Sequence, residues 1–304
     1  MHWDRVRVFG VVASCGSVRQ ASEELGTSAS AVSQQIRKLE RELGRTLVEP
    51  DGRGIRLTAA GSVLARHARG MEWQLRRADE EIGQLTDTIA GRLRIGGVLS
   101  SIRALLGPAL ATLAEQHPRV EPTIVDGEAP EFIDLMATRK LDVAILETWA
   151  SNTFPRLSSL TSEPILQEHV DLAVPASIGA PPSTLAEAAE LPLPWVVCPA
   201  GSGAYQTVTD LFRHLGRDPE IRYQIGSYPS QLDLVACGLA IALVPRLARA
   251  GAEQPEVTFV ELRSPLRRRL HLMSRMGDER PLLTEFREHL MRRRDLIRSS
   301  STAP

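Results

Sequence analysis

The stretch "SASAVSQQIRKLERELG", residues 28–44, predicts a helix with two different faces. Val32, Ile36, Leu39 and Leu43 follow one another at steps of four, three and four, so they share one apolar stripe. The opposite face begins with short uncharged hydrogen-bonding groups, and its arginines come later. Glu and Lys usually dominate an ordinary exposed helix face, so this polar face needs a separate explanation.

Two shorter helices precede this stretch and a hairpin follows it. The first helix is predicted over residues 3–14 and the second over residues 18–25, with Gly16 and Gly26 as the turns that follow them. After Gly44, the segments "TLVE" and "GIRLT" predict two short strands, because the Asp-Gly between them is a strong hairpin signal. Residues 1–58 are therefore predicted to form a winged helix-turn-helix domain.

A single long helix is predicted over residues 59–90. Its apolar residues recur at alternating steps of four and three, which is the spacing of a coiled-coil seam. We expect this helix to dimerise, and the alternative is one buried face of a long helix within a single chain. The predicted seam consists of Leu64, Ala68, Met71, Leu75, Ala78, Ile82 and Leu85, followed by Ile89.

Strand and helix patterns alternate from residue 91 onward, which predicts an α/β domain with a parallel sheet. The length of this part allows two small lobes with a cleft between them. Lobe I is expected at residues 91–162 and 268–298, and lobe II at residues 163–267. The fold class is thus α/β overall, and the winged helix-turn-helix and the linker helix precede the α/β domain in the sequence.

The charge distribution and the cysteines indicate the kind of partner and the cellular compartment. The 304 residues carry a net charge of −1, but residues 1–70 hold eleven Arg and Lys against seven Asp and Glu. This basic first part hints at a polyanionic partner. Cys15, Cys198 and Cys237 show no C-x-x-C spacing, which suits a reducing cytoplasm. We expect no signal peptide and no membrane segment.

Several segments resemble a known family. Ser17, Ala21 and Leu25, then "SAVSQQI", "LERELG" and "LTAAG", resemble the N-terminal domain of LysR-type transcriptional regulators. "GRLRIGGV", "LDVAIL" and "VACGLAIALVP" resemble landmarks of that family's effector-binding domain, in the same order. The resemblance implies a dimerising linker helix and a two-lobed, periplasmic-binding-protein-like domain. It also implies a dimer or tetramer on an interrupted inverted repeat of double-stranded DNA, controlled by a small-molecule effector, and leaves RNA polymerase open as a further partner.

The resemblance explains the polar face at residues 28–44, because a recognition helix enters the major groove with its first turns near base edges. We expect Ser30, Ser33 and Gln34 to read bases, because short polar groups approach bases closely and Gln pairs with adenine. The N–H groups near Ser28 and the side chain of Arg37 are expected to contact phosphate. The alternative is a face that is merely solvated.

The sequence departs from the family at three DNA-contact positions. The family often has Gln at the position of Ala29 and Arg at the position of Gln34, so the operator is expected to differ from those of close relatives. The usual wing arginine is absent from "LVEP", residues 47–50. Arg53, at the predicted hairpin tip, is expected to contact the DNA backbone or minor groove instead.

Loops at strand ends supply the predicted effector contacts, since ligands of two-lobed folds bind between the lobes. Hydroxyls at a helix start suit a carboxylate or another anion, and an acidic side chain in the cleft favours a ligand with a positive group, such as an amino acid. Helix capping is the alternative role for the serines. The family resemblance places ligand contacts at Ser100, Ser101, Glu128, Ala129, Ser202, Ser227 and Tyr228.

Other functions have weaker support in the sequence. The seven histidines form no H-x-x-x-H pair, and no nucleophile motif is present, so we expect no enzyme activity, no cofactor and no metal site. A redox sensor on the same scaffold is the main alternative, although Cys198 and Cys237 both read as core residues. A regulator without an effector is the third possibility. The arginines of "SPLRRRL", residues 264–270, are expected at a solvated sheet edge.

Overall fold

The computed structural model describes residues 1–52, 54–84, 89–149, 159–249 and 254–301. The chain divides into two compact units, residues 1–85 and residues 86–304. The fold class agrees with the sequence prediction in both units. The first unit consists of α1 (Trp3–Cys15), α2 (Val18–Glu24), α3 (Ala29–Leu43), β1 (Val48–Asp51), β2 (Gly54–Leu57) and α4 (Ala59–Gln84).

The first unit is a winged helix-turn-helix with its own apolar core. The helix that follows the turn, α3, contributes Val32 and Ile36 to a cluster with Val12 and Ala21. Gly26, in the turn between α2 and α3, has a φ of +60°, a left-handed conformation that glycine adopts without steric cost. Strands β1 and β2 pair antiparallel and form the wing.

The start of α4 packs tightly against the chain that leads into the wing. A side chain at Gly61 would put its Cβ 2.0 Å from the Leu47 carbonyl oxygen, so only glycine fits there. Leu64 and Ala68, the first two residues of the predicted seam, belong to the core that α4 forms with α1. We predicted that these two residues contact a second chain. The structure corrects this prediction for Ala68, because the core of its own chain already buries it.

The later seam residues of α4 face solvent. Met71, Leu75 and Ile82 are 42%, 48% and 63% exposed, and Ala78 is exposed as well. Leu85 lies outside the described residues. Ile89 is a further correction, because it is not helical and packs against the core of the second unit. The stripe of exposed seam residues, Met71, Leu75, Ala78 and Ile82, is called the α4 stripe below.

The second unit is built on a mixed sheet whose strand order is β10-β6-β11-β5-β3-β4, with β9 also paired to β6. A separate two-stranded sheet pairs β7 with β8. The strands are β3 (Gly91–Gly97), β4 (Val120–Asp126), β5 (Val143–Trp149), β6 (Leu160–Pro175), β7 (Trp195–Val197), β8 (Ile221–Gln224), β9 (Ala242–Pro245), β10 (Val257–Val260) and β11 (Leu266–Arg275).

Helices cover this sheet and complete three apolar cores. The helices are α5 (Leu99–Ser101), a π-helical turn (Ile102–Leu106), α6 (Gly107–Gln116), α7 (Ala129–Ala137), α8 (Leu185–Ala189), α9 (Gly203–His214), α10 (Tyr228–Ala236), α11 (Arg246–Arg249) and α12 (Pro281–Ser301). Of the two largest cores, the first gathers β3, α6 and α12, including Ile95 and Phe286. The second gathers β7, α9 and β9, including Trp195 and Val244. The smallest core packs α7 on β5.

The parallel sheet that the sequence predicts is present only in part. Strand β3 runs parallel to β4 and β5, but β6 and β11 pair antiparallel with all their neighbours. Both long strands pass from one core into the other: β6 places Leu166 in the first core and Leu172 in the second. A period of two identifies a strand but not its direction, which explains the difference.

Candidate functional site

The first turn of α3 is held by a serine cap. The Ser28 hydroxyl accepts a hydrogen bond from the Ala31 N–H at 3.2 Å and lies 2.9 Å from the Ser30 hydroxyl oxygen. In the apolar stripe of α3, the first three residues are buried and only the last, Leu43, is exposed, so the polar face points to solvent. Gln34 and Arg37 are both exposed on this face, as predicted.

Two predicted DNA contacts remain, Ser33 and Arg53, and the structure describes only the first of them. Ser33 is half-buried, and its hydroxyl donates to the Ala29 carbonyl oxygen at 2.8 Å, so only its lone pairs remain for another group. Arg53 lies outside the described residues, and its contact with DNA stays a prediction. In the described part of the wing, Arg56 pairs with Glu49 at 2.8 Å.

A basic depression adjoins the polar face of α3. It has a volume of about 700 Å³ and includes Gln34 at one side. Several of its lining side chains are cations near the second half of the helix, where phosphate would neutralise them. These cations are Arg37, Lys38, Arg41 and Arg45.

The second unit has a small cavity between its two largest cores, and several polar side chains stand in its largely apolar wall. Its volume is about 200 Å³, and both cores contribute to its lining. The first core supplies the loops after β3 and β4 and the residue Glu147 on β5. The second core supplies the loop after β7 and the start of α10. The chemically important lining residues are Ser100, Asp126, Glu128, Glu147, Cys198, Ser202 and Tyr228.

Four of the seven predicted effector residues line this cavity: Ser100, Glu128, Ser202 and Tyr228. The other three are not among its described lining residues. Ser101 is fully buried and donates to the Val98 carbonyl oxygen at 2.7 Å. Ala129 is the first residue of α7, and Ser227 caps α10 by accepting from the Ser230 N–H.

Arg268 is the main residue that the sequence prediction misplaced. It was expected at a solvated edge with Arg267 and Arg269, but its exposed fraction is 0%. It donates to Glu147 at 2.7 Å, to Glu168 at 2.5 Å and to the Ser100 hydroxyl at 2.8 Å. Burial alone would lower the pKa of Arg268, but the charges of Glu168 and Glu147 raise it above the usual value.

This arginine lies behind the cavity wall and holds two lining residues, Ser100 and Glu147. It lies on β11 between Leu266, which belongs to one core, and Leu270, which belongs to the other. Glu168 stands opposite it on β6, and Trp149 stands opposite it on β5. The alternation of Leu266, Arg268 and Leu270 on the inward face is a period-two signal that indicates burial of the middle arginine.

Glu128 is an acidic side chain of the cavity whose pKa is shifted. Burial and the neighbouring charge of Glu147 raise its pKa to about 7, against a smaller opposing effect of the Gly203 backbone N–H. Gly203 is the first residue of α9, on the other side of the cavity. A carboxyl group held at this pKa carries a charge that a bound cation would stabilise.

Tyr228 offers a buried hydroxyl to the cavity. It is 6% exposed, and its hydroxyl interacts with the Cys198 sulfur but makes no hydrogen bond to an oxygen or nitrogen of the described residues. A sulfur atom is a weak acceptor, so a bound molecule with a stronger acceptor can engage this hydroxyl. Burial raises the pKa of Tyr228, and the phenol stays protonated as a donor.

The two cysteines of the second unit differ from each other. Cys198 is buried, and burial raises the pKa of its thiol to about 11, which makes it a poor nucleophile. Cys237 is exposed at the end of α10, which corrects its predicted place in the core. The buried cavity cysteine therefore lacks the thiolate character that redox sensing requires.

The geometry describes a DNA-binding regulator: a winged helix-turn-helix unit and a ligand-binding unit on one chain. The family described as "Bacterial regulatory helix-turn-helix protein, lysR family" matches residues 3–62, and "LysR substrate binding domain" matches residues 86–295. The chain belongs to the LysR family of bacterial transcriptional regulators. The matched families and relatives are regulators of transcription and not enzymes.

Individual relatives agree with this assignment. The HTH-type transcriptional regulator DgdR of Burkholderia cepacia is 28% identical over 246 residues, which is 81% of this chain and 78% of that protein. The HTH-type transcriptional activator IlvY of Salmonella typhimurium is 25% identical over 268 residues, covering 86% of this chain and 85% of its own.

Solved structures share the fold. Full-length CbnR in complex with its target DNA has a TM-score of 0.63 at 24% identity, covering 96% of this chain and 100% of that one. A full-length OxyR variant from Pseudomonas aeruginosa has a TM-score of 0.67 at 18% identity, covering 96% of this chain and 98% of the other. Among the described helices, none combines the length and the apolar character needed to span a membrane.

Proposed function

We propose that this regulator binds an interrupted inverted repeat in double-stranded DNA as a symmetric oligomer, and that a small molecule in the cavity changes this binding. The observation that carries the proposal is the cavity between the two largest cores, whose wall holds the side chains of Ser100, Glu128 and Tyr228. A family member with such a cavity has a place for an effector apart from its DNA-binding unit. DNA as the partner implies that the protein works in the cytoplasm.

In this proposal, some residues of α3 contact DNA bases and others contact phosphates. Gln34 is exposed near the middle of α3 and reads a base edge, since its amide suits adenine. Ser30 reads a base through its hydroxyl, and Ser33 reads one through its acceptor oxygen, because the Ser33 hydroxyl already donates to Ala29. Ser28 and Arg37 contact phosphate. The structure of CbnR with its target DNA, a protein of the same fold, supports DNA as the partner of this unit.

The α4 stripe supports the symmetric oligomer. Met71, Leu75 and Ile82 are large apolar side chains at coiled-coil spacing, and all are exposed in the single chain. Such a regular apolar stripe is stabilised when a second helix covers it. A palindromic DNA site then follows from the two-fold symmetry of the protein.

The charge of the cavity favours an effector with a positive group. Asp126, Glu128 and Glu147 line it, and no Lys or Arg is among its described lining residues. Arg268, behind the wall, is already neutralised by Glu147 and Glu168. We propose an amine or amino acid whose ammonium group binds Glu128 and whose other polar end meets Ser100 and Ser202.

Thermal unfolding with a panel of compounds tests this ligand class. Amines and amino acids are compared with matched carboxylic acids that lack the amino group, and one amine-bearing compound is expected to raise the unfolding temperature. Its affinity should rise with pH through about 7, because ionised Glu128 binds the cation better than the neutral acid does. We expect Glu128→Gln to weaken binding about tenfold or more, from the loss of one charge-assisted contact.

Glu131→Gln is the matched control, because Glu131 is exposed one turn away at the start of α7. It should bind the compound as the parent protein does. The ligand class would be wrong if only compounds without an amino group stabilised the protein. It would also be wrong if the affinity were independent of pH between 6 and 8.

A further inference from the structure

Three metal-ligating side chains converge where α6 meets α12, away from the cavity of the proposed effector. His117 follows the end of α6, and Glu285 and His289 lie one turn apart on α12. The Nε2 atom of His289 is 3.3 Å from a Glu285 carboxylate oxygen, and the Nε2 atom of His117 is 3.7 Å from the same oxygen. One ligand atom of each residue lies within 4.8 Å of the other two.

The hydrogen bonds of Thr112 favour one tautomer of His289. The Thr112 hydroxyl has two acceptors within reach, the Ala109 carbonyl oxygen at 2.9 Å and the Nδ1 atom of His289 at 2.8 Å. When it donates to the carbonyl oxygen, it accepts from the Nδ1 atom. In the neutral ring the Nδ1 atom then carries the proton, and the Nε2 atom presents a lone pair to Glu285.

That lone pair is buried and has no hydrogen-bond partner among the described residues. His289 is 3% exposed, and its Nε2 atom makes no hydrogen bond of acceptable geometry. A neutral nitrogen lone pair next to a carboxylate oxygen is a repulsive arrangement. A cation placed between the two atoms turns the repulsion into attraction and satisfies both groups.

We propose that His117, Glu285 and His289 bind a divalent transition-metal ion of the zinc class. Two imidazole nitrogens and one carboxylate oxygen suit Zn²⁺, Co²⁺ or Ni²⁺, and the absence of a thiolate among these ligands disfavours Cu⁺. Ligands about 2.1 Å from a tetrahedral ion lie about 3.4 Å from one another, close to the 3.3 and 3.7 Å found here. A water molecule would complete the coordination.

The surroundings suit ion entry and a stable site. The side chains of His117 and Glu285 are 22% and 23% exposed, so an ion can reach the buried nitrogen of His289 from solvent. Thr112 acts as the outer partner that orients the ring, as second-sphere groups do at metal sites. The bound ion would join the end of α6 to α12, two helices that share one apolar core.

Titration of the tag-free, chelator-treated full-length protein with Co²⁺ tests the proposal. We expect one ion per chain, with the visible absorption of a tetrahedral cobalt site, and displacement of cobalt by Zn²⁺. His117→Ala and Glu285→Gln should each abolish the absorption. Both change half-buried side chains, and circular dichroism and the unfolding temperature in chelator should match those of the parent protein.

Two further variants make the test specific. His214→Ala removes an exposed histidine on α9 and should leave the cobalt titration unchanged. Thr112→Val removes the outer hydrogen bond and should weaken the metal affinity about 10- to 100-fold without abolishing binding. The proposal is overturned if the parent protein takes up no cobalt, or if His117→Ala and Glu285→Gln bind it as the parent does. Neither result would affect the proposed effector site.

Discussion

Gln34 and Arg37 stand on the same exposed face of α3, but their chemistry assigns them different contacts. The amide of Gln34 carries both a donor and an acceptor, and no described residue engages it. The guanidinium of Arg37 lines the basic depression with Lys38 and Arg41. An amide can distinguish one base from another, whereas a cation near phosphates is insensitive to sequence.

We expect Gln34→Ala to weaken binding to the operator by about 1–3 kcal/mol and to leave binding to random DNA unchanged. Arg37→Ala should weaken binding to both DNAs and reduce the slope of log K against log salt by about one. Fluorescence anisotropy at several salt concentrations measures both effects, and each variant is a control for the other. Equal losses on random DNA for Gln34→Ala would exclude base readout.

The first unit shows which single residues sequence reasoning can place. The cap Ser28, the exposed Gln34 and the glycine turns follow from helix periodicity and backbone preference, which are local. The second unit shows what it misses. Arg268 is buried because Glu147 and Glu168, on two other strands, neutralise it. Strand pairing brings these charges together, and no local pattern contains that pairing.

At the scale of elements, α4 changes its role along its length. Its first part packs on α1, where Leu64 and Ala68 join the core of the first unit. Its later part carries the exposed α4 stripe. The heptad spacing alone cannot separate the two roles, because both need apolar residues at the same period.

We expect Leu75→Asp to convert the oligomer into a monomer, because a charge in the middle of the α4 stripe cannot be buried against a second helix. Sedimentation velocity measures the change. Gln74→Asp is the matched control, since Gln74 is an exposed neighbour outside the stripe. A Leu75→Asp protein that sediments as the parent does would show that the α4 stripe is not the dimer contact.

The start of β5 depends on a buried ion-pair network. Asp142, just before the strand, is fully buried, and accepts from Arg94 at 2.9, 3.1 and 3.2 Å and from Arg280 at 3.1 Å. Burial alone would raise the pKa of Asp142, but Arg94 and Arg280 together lower it to about 2. This network ties β3, β5 and the start of α12 together.

Asp142→Asn should lower the free energy of unfolding by about 2–3 kcal/mol, because Arg94 loses its counter-charge while Asp278 still pairs with Arg280. The lowered pKa means that the contribution is present above pH 4 and is lost as the pH falls towards 2. Urea unfolding at several pH values measures it. Asp134→Asn, at an exposed position on α7, is the control. Equal stability of Asp142→Asn and the control at pH 7 would contradict the account.

The antiparallel course of β6 and β11 also belongs to the element scale. Sequence patterns predict strands in both regions, but the direction of a strand depends on which neighbours it meets. These two strands pass through both cores, and they pair Glu168 with Arg268 behind the wall of the cavity. The cavity thus arises from pairing that the sequence pattern did not reveal.

At the scale of the whole molecule, the proposed function requires a link between ligand and DNA. A ligand shifts a regulator only if it binds two arrangements with different affinities. The contact of Glu128 with the Gly203 backbone joins loops on opposite sides of the cavity. An ammonium group bound to Glu128 would compete with this contact and so favour a different arrangement of the two cores.

Footprinting of the DNA that flanks the protein's own gene, with and without the amine-bearing compound, tests the central claim most directly. We predict a protected interrupted inverted repeat whose extent changes when the compound is added, and that this change is lost in Glu128→Gln while protection remains. A compound that binds the protein but leaves the footprint unaltered, or an operator without two-fold symmetry, would contradict the account.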